Sequence, residues 1–226
     1  MEARIIIALD GFAACGKSTL ARALAKQLNY VHVDSGAMYR AVALYGLNNQ
    51  VDWNKPEQVQ EALEKIHIEF EVQNAKSQIL LNTRNVEAEI RSLRISQAVS
   101  LVSTITAVRR KLVQLQRKLG ERKGLVMDGR DIGTVVFPRA ELKLFVRAHM
   151  EVRAERRLLE LRARGNETVD IDSVKHNLLE RDRMDSSRKD SPLRQAADAI
   201  VIDNSDLTPQ QQLEFAFQIA QARINE

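Results

Sequence analysis

The segment with the clearest chemistry is a short loop near the start of the chain. The pattern G-x-x-x-x-G-K-S/T is matched in full by Gly11-Phe12-Ala13-Ala14-Cys15-Gly16-Lys17-Ser18. Glycines permit backbone angles at which successive N–H groups point inward around a phosphate, and the start of a following helix adds its positive dipole end. We therefore expect residues Gly11 to Thr19 to bind the phosphates of a nucleoside triphosphate.

Three side chains of this loop differ in what they offer. Lys17 is a compact charge that suits the β- and γ-phosphates, and the Ser18 hydroxyl suits Mg²⁺. Cys15 is the single cysteine of the chain, which excludes an intramolecular disulfide and fits a reducing compartment. A small residue that fills the loop is the simpler account of Cys15, and we assign it no catalytic role.

Two longer motifs follow predicted strands farther along the chain. They are Asp34-Ser35-Gly36-Ala37-Met38-Tyr39-Arg40 and Asp128-Gly129-Arg130-Asp131-Ile132-Gly133-Thr134-Val135-Val136-Phe137-Pro138. Together with the phosphate-binding loop, these motifs closely resemble the bacterial cytidylate kinase family. The resemblance runs nearly end to end and includes the insert around residues 67–90 and the segment Asp203-Asn204-Ser205.

The resemblance implies transfer of the γ-phosphate of ATP to CMP, and we expect dCMP to be accepted too, with Mg²⁺ as the cofactor of ATP. It implies a core of residues 1–34, 104–150 and 171–226, a region of residues 35–103 that binds the nucleoside monophosphate, and a lid of residues 151–170. The CMP-binding positions that it implies are Ser35, Tyr39, Arg40, Ser100, Arg109, Gly129, Arg130, Asp131, Arg181, Asp185 and Arg188.

The implied CMP site makes chemical sense for phosphate and for cytosine. Arg40 and Arg130 are implied to hold the phosphate, because guanidinium groups pair with phosphate oxygens in a bidentate way. Ser100, Arg109 and Asp131 are implied to contact cytosine, whose amino group suits a carboxylate acceptor. Plainer interpretations stay open for two of them: an ordinary helix serine at position 100, and a solvated cluster of charges at 109–111.

Three charged residues follow one another at helical spacing. Arg181, Asp185 and Arg188 fall at i, i+4 and i+7, so on one continuous helix they share a face. The resemblance implies that Arg181 and Asp185 bind the ribose hydroxyls and that Arg188 binds the transferring phosphate. A surface ladder of ion pairs fits the same spacing and would contribute little to stability.

A run of arginines marks the implied lid. Its members are Arg147, Arg153, Arg156, Arg157, Arg162 and Arg164, and the interleaved Glu151, Glu155 and Glu160 also fit an ordinary solvated helix. A kinase lid needs arginines that close over the polyphosphate and exclude water. We expect Arg153 and Arg157, four residues apart, to be the pair that acts.

Catalysis in this scheme needs no strong general base, because the accepting phosphate oxygen is already anionic. We expect positioning and charge neutralisation to suffice. The residues expected to act are Lys17, Arg130, Arg188, Arg153 and Arg157. Ser18 is the expected Mg²⁺ ligand, and Asp128, or alternatively Asp10, is expected to orient the waters of the ion.

The loop departs from the family pattern. Loops of this family commonly contain more glycine, often with glycine where Ser18 stands. Here Ala13, Ala14 and Cys15 replace smaller or more flexible residues, and Ser18 restores the general form of the motif. These substitutions affect how stiff we expect the loop to be, and they do not change which ligand we expect it to bind.

Strands that alternate with helices must position these groups. Buried strands are predicted at Ile5–Leu9, Tyr30–Val33, Gly124–Asp128, Leu142–Val146 and Ala199–Ile202, with helices between them. This alternation predicts an α/β fold of the P-loop kinase type, with a five-stranded parallel sheet flanked by helices. The period-two pattern from His67, with a polar turn near 73–77, predicts a small antiparallel insert in the region that binds the monophosphate.

Composition limits the alternatives. The chain has 226 residues, 44% hydrophobic, a net charge of +4, and only 4% aromatic residues, too few for an extended base-stacking surface. The apolar run Ile5 to Leu9, which Asp10 ends, is too short for a signal-peptide core or a membrane span. We expect a cytoplasmic monomer that binds neither nucleic acid nor a membrane.

Two other functions compete with this interpretation. One is a P-loop kinase of another small acceptor; a metabolite alcohol would need a base, whereas arginines at the acceptor site indicate an anion. The other is a nucleotide-dependent switch or RNA binder. A GTPase would ordinarily carry an Asn-Lys-x-Asp motif, and the sequence contains no exact match to it.

Overall fold

The computed structural model describes residues 3–73, 76–163 and 165–226, apart from the side chains at 72, 73, 76, 77 and 93. Arg164 of the predicted lid and part of the predicted turn at 73–77 lie outside these residues. In the part of the chain that is described, no helix combines the length and apolar character needed to cross a bilayer.

The strands form two separate sheets. Their bounds are β1 (Ile6–Gly11), β2 (Val31–Asp34), β3 (Ile68–Gln73), β4 (Lys76–Leu81), β5 (Arg84–Asn85), β6 (Leu125–Gly129), β7 (Leu142–Arg147) and β8 (Ile200–Asp203). Five strands make a parallel sheet in the order β2-β6-β1-β7-β8, and β3, β4 and β5 make an antiparallel sheet. The predicted fold class is confirmed, including the antiparallel insert.

Helices pack against the parallel sheet and the insert. They are α1 (Lys17–Leu28), α2 (Ser35–Asn48), α3 (Pro56–Lys65), α4 (Leu93–Val102), α5 (Thr106–Gly120), α6 (Met150–Arg162), α7 (Ile171–Ser187) and α8 (Pro209–Ile224). Helix α8 begins at Pro209, because Thr208 caps it together with Gln211 and Pro209 occupies its first turn.

The chain between the antiparallel insert and β6 forms two helices, α4 and α5. The break between α4 and α5 lies at Ser103–Ile105. The Ser103 hydroxyl donates to Ser100 O at 2.9 Å, and the Thr104 hydroxyl donates to Leu101 O at 2.7 Å. These local hydrogen bonds compete with the backbone ladder, and helices commonly stop at such residues.

The carboxyl ends of three central strands carry the motifs found in the sequence. Strand β1 runs into the phosphate-binding loop, β2 ends at Asp34, and β6 ends at Gly129. Since β6 lies between β1 and β2 in the sheet, the three motifs meet at one edge. The predicted division into core, monophosphate-binding region and lid stays a prediction.

Candidate active site

A cleft of about 810 Å³ opens at this edge of the sheet. Its lining includes most of the positions predicted from the sequence. From the phosphate-binding loop these are Ala13, Ala14, Gly16, Lys17, Ser18 and Thr19; from the other elements they are Ser35, Tyr39, Arg40, Ser100, Arg109, Asp128, Gly129, Arg130, Asp131, Arg157, Arg181, Asp185 and Arg188. Residues more than 150 positions apart in sequence therefore face one space.

Two glycines shape the phosphate-binding loop. Gly16 has a φ of 83°, a left-handed conformation that other residues adopt only with strain. At Gly11, a Cβ would lie 2.1 Å from Val146 O of the neighbouring strand β7, so no side chain fits there. Gly11, Phe12 and Cys15 lie behind the surface that lines the cleft, and Cys15 is buried.

Lys17 is the buried cation of the loop. Its Nζ donates to Phe12 O at 3.1 Å, and its side chain lines the cleft. Burial, and then the positive charge of Arg130, lower the pKa of Lys17. A bound anion would stabilise the positive charge of Lys17. A phosphate group is such an anion.

The carboxylates at the ends of β1 and β6 face different partners. Asp128 lines the cleft, and its Oδ2 accepts the Ser18 hydroxyl at 2.5 Å. Asp10 accepts the backbone N–H of Ile132 at 2.8 Å through Oδ1 and that of Gly133 at 2.7 Å through Oδ2. Burial raises the pKa of Asp10 to about 7. Asp10 thus holds the loop after β6, whereas Asp128 borders the cleft.

Arg40 lies in a charged cluster at the start of α2. Asp34 caps this helix by accepting from Ala37 N at 3.1 Å, and its other oxygen accepts from Arg40 at 2.7 Å and from Arg91 at 3.0 Å. Burial opposes ionisation of Asp34, but the charges of Arg40 and Arg91 outweigh it and lower its pKa.

Arg91 is a lining residue that the sequence analysis missed. It also donates to Glu87, four residues earlier, at 2.7 Å. The spacing of Glu87 and Arg91 was a visible signal, but it is equally typical of a solvated turn. Only the fold brings Arg91 to Asp34, which precedes it by 57 positions.

Arg181, Asp185 and Arg188 line the cleft, which argues against the surface ladder of ion pairs that their spacing also fits. Asp185 is only 4% exposed and accepts from Arg130 Nε at 2.7 Å and from Arg188. Helix α7 ends at Ser187, so Arg188 lies just beyond it, and it also donates to the Ser103 hydroxyl at 3.0 Å. Burial opposes ionisation of Asp185, but Arg130 and Arg188 outweigh it and lower its pKa.

Arg181 lines the same cleft under different electrostatics. Burial, followed by the charge of Arg130, lowers the pKa of Arg181 to about 10. Positive side chains that repel one another in a cleft are typical of a site that binds an anion.

Arg109 and Asp131 form a buried pair, which excludes the solvated charge cluster as an account of Arg109. Arg109 is 2% exposed and Asp131 is 5% exposed, and Arg109 Nη2 donates to Asp131 Oδ2. Arg109 also donates to Ser103 O at 3.1 Å and lies 5.5 Å from the centre of the Tyr39 ring. Burial raises the pKa of Asp131. Ser100 lines the cleft nearby.

The two arginines predicted to act from the lid occupy different places. Arg157 lines the cleft and pairs with Glu160 at 2.8 Å. Arg153 donates to Asp182 at 2.6 Å and to Ala13 O at 3.2 Å, so it braces the back of the phosphate-binding loop. The acting pair of Arg153 and Arg157 stays a prediction.

Arg156 is a second lining arginine that sequence reasoning missed. It donates to Asn204 Oδ1 and to Asn204 O, both at 3.0 Å, and reaches the cleft beside Gly16. The sequence alone could not tell whether Arg156 or Arg157 reaches the cleft. The face that a helix turns toward a site depends on how the helix packs.

Comparison with known sequences decides the family. The sequence profile described as cytidylate kinase matches residues 7–222 of this chain. This chain belongs to the cytidylate kinase family. Curated cytidylate kinases from two bacteria are similar over nearly their whole length. The protein from Cytophaga hutchinsonii is 48% identical to this chain, and the match covers 99% of this chain and 96% of that protein. The protein from Flavobacterium johnsoniae is 50% identical, and the match covers 92% of this chain and 93% of that protein.

A solved structure supports the fold of this cytidylate kinase family member. The shikimate kinase from Bacteroides thetaiotaomicron is similar with a TM-score of 0.50, over 99% of this chain and 100% of the other, at 16% identity. At this identity, the likeness supports the P-loop kinase fold and carries nothing about the acceptor.

Proposed function

We propose that this protein is an ATP-dependent kinase that phosphorylates CMP, and dCMP as a second substrate. Family membership is one support. The observation that carries the proposal is geometric: Lys17 and the acceptor-side arginines Arg40, Arg130 and Arg188 line one cleft. A backbone loop that binds the triphosphate thus faces a second set of cations that suits the phosphate of the acceptor.

On the donor side, residues Gly11 to Thr19 bind the phosphates of ATP. The loop N–H groups and the start of α1 supply fixed partial positive charges, and Lys17 supplies a full charge. These groups are oriented before the ligand arrives, so they stabilise the charge of the transferring phosphoryl group without further rearrangement.

On the acceptor side, Arg40 and Arg130 hold the phosphate of CMP, with Ser35, Tyr39 and Gly129 close by. Each guanidinium is braced by a carboxylate: Arg40 by Asp34 and Arg130 by Asp185, both at 2.7 Å. Bracing fixes the orientation of the fork, and phosphate recognition in bidentate geometry depends on that orientation. Arg188 and the lid residue Arg157, which line the cleft, neutralise the charge that develops during transfer, whereas Arg153 supports the phosphate-binding loop from behind.

For the nucleoside, the buried pair Arg109–Asp131 recognises cytosine together with Ser100. A carboxylate accepts from the cytosine amino group, and a guanidinium donates to the O2 and N3 acceptors. Uracil presents an oxygen where cytosine has its amino group, and this oxygen would face Asp131 without a hydrogen bond. Arg181 and Asp185 bind the ribose hydroxyls.

The oxygen donors beside the loop fit a magnesium ion. Ser18 and Asp128 both line the cleft and are joined by a hydrogen bond, and Mg²⁺ in kinases is commonly held by one or two protein oxygens together with waters and phosphates. Ser18 would be a direct ligand, and Asp128 would hold waters of the ion. When bound, Mg²⁺ neutralises charge on the phosphates of ATP.

A panel of acceptors tests this function. ADP release is measured in a coupled assay with CMP, dCMP, UMP, AMP and shikimate at matched concentrations. We expect kcat/KM to be highest with CMP and dCMP. Higher values with UMP, AMP or shikimate would contradict the proposal. Filter binding of an unstructured RNA at two salt concentrations tests the RNA-binding alternative. The cytoplasmic location and the monomeric state stay predictions.

A further inference from the structure

His32 lies behind the carboxylate that the proposed function assigns to magnesium. Its Nε2 is 2.8 Å from Asp128 Oδ1, and Oδ2 of the same carboxylate accepts the Ser18 hydroxyl at 2.5 Å. An ionised carboxylate only accepts hydrogen bonds, so Nε2 of His32 carries the proton of this contact. Ser18, Asp128 and His32 therefore form one hydrogen-bonded series that leads from the cleft into the sheet.

The sheet itself places His32 within reach of Asp128. Strands β2 and β6 are parallel neighbours, with His32 opposite Val126 and Asp34 opposite Asp128. Residues two apart on a strand share a face, so Val126 and Asp128 point to the same side. The His32 side chain is 10% exposed and that of Asp128 is 2% exposed, which shields the contact from competing water.

Among the residues that line the cleft in the described chain, Ser18 and Asp128 are present and His32 is not. Because His32 lies outside this lining, its hydrogen bond to Asp128 is a route by which it acts on a ligand in the cleft. A buried carboxylate with one oxygen held from behind has its second oxygen directed forward, and here that oxygen faces Ser18.

We propose that His32 is a positioning residue for the magnesium site. Its hydrogen bond to Oδ1 fixes the rotation of the Asp128 carboxylate, so that Oδ2 is presented toward Ser18 and the ion. This inference rests on the proposed function. Outer partners of metal-binding groups typically change metal affinity by about 10- to 100-fold. Because Asp128 acts through water, we expect about tenfold for His32, the lower end of that range.

Binding of ADP measured by calorimetry, with Mg²⁺ and with EDTA, tests this role without reference to turnover. His32→Phe keeps the ring and removes the donor, whereas His32→Gln places an amide donor near the position of Nε2. His176→Phe, at an exposed position on α7, is the matched control. Circular dichroism checks that each variant is folded, and His32→Asn, whose amide is too short to reach Asp128, replaces the Phe variant if that one does not fold.

We expect His32→Phe to lower the Mg²⁺-dependent gain in ADP affinity about tenfold and to leave ADP affinity in EDTA unchanged. We expect His32→Gln and His176→Phe to stay within about twofold of the parent protein, since both retain a donor to Asp128. An equal loss with and without Mg²⁺ in the Phe variant, or no loss at all, would overturn the positioning role.

The parent protein separates the two proposals. If it phosphorylates CMP and gains ADP affinity from Mg²⁺, the proposed function stands, and a negative result with the His32 variants overturns this inference alone. If the parent protein shows neither property, the proposed function fails, and the positioning role fails with it.

Discussion

Arg130 and Asp185 lie 55 positions apart in sequence and meet at 2.7 Å, which joins the loop after β6 to helix α7. Asp185 also accepts a hydrogen bond from Arg188, so one buried carboxylate orients two of the proposed phosphate-binding arginines. The orientation of Arg130 and Arg188 in the acceptor site thus depends on this one carboxylate.

Loss of the Asp185 charge should damage both stability and activity. In Asp185→Asn, two buried guanidinium groups lose their common partner, which we expect to cost about 3–5 kcal/mol of unfolding free energy. We expect kcat/KM for CMP to fall at least about 100-fold, as misplaced groups commonly cause. Urea unfolding and the coupled assay measure the two effects. Glu180→Gln, exposed on the same helix, is the control and should stay within about 0.5 kcal/mol. Asp185→Asn with parental kcat/KM would contradict this arrangement.

Arg109 and its neighbour Arg110 offer a matched pair of substitutions. Arg109 is buried against Asp131, whereas Arg110 is exposed. We expect Arg109→Gln to lower kcat/KM for CMP about 100-fold, because the site leaves polar groups of cytosine and Asp131 unpaired. Arg110→Gln should keep near-parental kinetics. If Arg109→Gln and Arg110→Gln had the same kcat/KM as each other, with CMP and also with UMP, Arg109 would not be a cytosine-recognising residue.

Lys17 should matter for activity and not for stability. We expect Lys17→Met to lower kcat about 1000-fold, since a donor to developing charge is removed. The melting temperature of the nucleotide-free protein should be unchanged or higher, because burial and Arg130 already disfavour the ammonium group. Differential scanning fluorimetry and the coupled assay check this, with the exposed Lys26→Met as control. Near-normal turnover in Lys17→Met would contradict the proposed function of the loop.

Asp10 should make stability depend on pH between about 4 and 7. Its pKa is raised from 3.8 to about 7 in the folded state, so the folded chain binds this proton more tightly than the unfolded chain. The contribution of Asp10 is therefore complete below about pH 4 and is lost as pH rises through 7, by at most about 1.4 kcal/mol per pH unit.

The Asp10→Asn variant isolates this effect, because its side chain has nearly the same shape and does not titrate. We expect the difference in unfolding free energy between parent and variant to change across pH 4.5–7.5, with the parent losing relative stability as pH rises. Asp34 and Asp185, whose pKa values are lowered, titrate below this window. Parallel curves for the two proteins would show that Asp10 is not the titrating group.

Local patterns in the sequence determined the phosphate-binding loop, the parallel strands, and the motifs at their carboxyl ends. Gly16, Lys17 and Ser18 are informative because loop conformation and helix start depend on residues within a few positions. The capping pair Thr208 and Gln211 is informative for the same reason. The resemblance to the cytidylate kinase family supplied the positions expected to bind CMP.

Tertiary structure alone decided which charged groups meet. Arg91 contacts Asp34, Arg153 contacts Asp182 and Ala13, and His32 contacts Asp128, and no spacing in the sequence indicates these partners. The physical reason is that strand order and helix packing set the direction of each side chain. The free energy of a buried charge then depends on which opposite charge that packing brings within hydrogen-bonding distance.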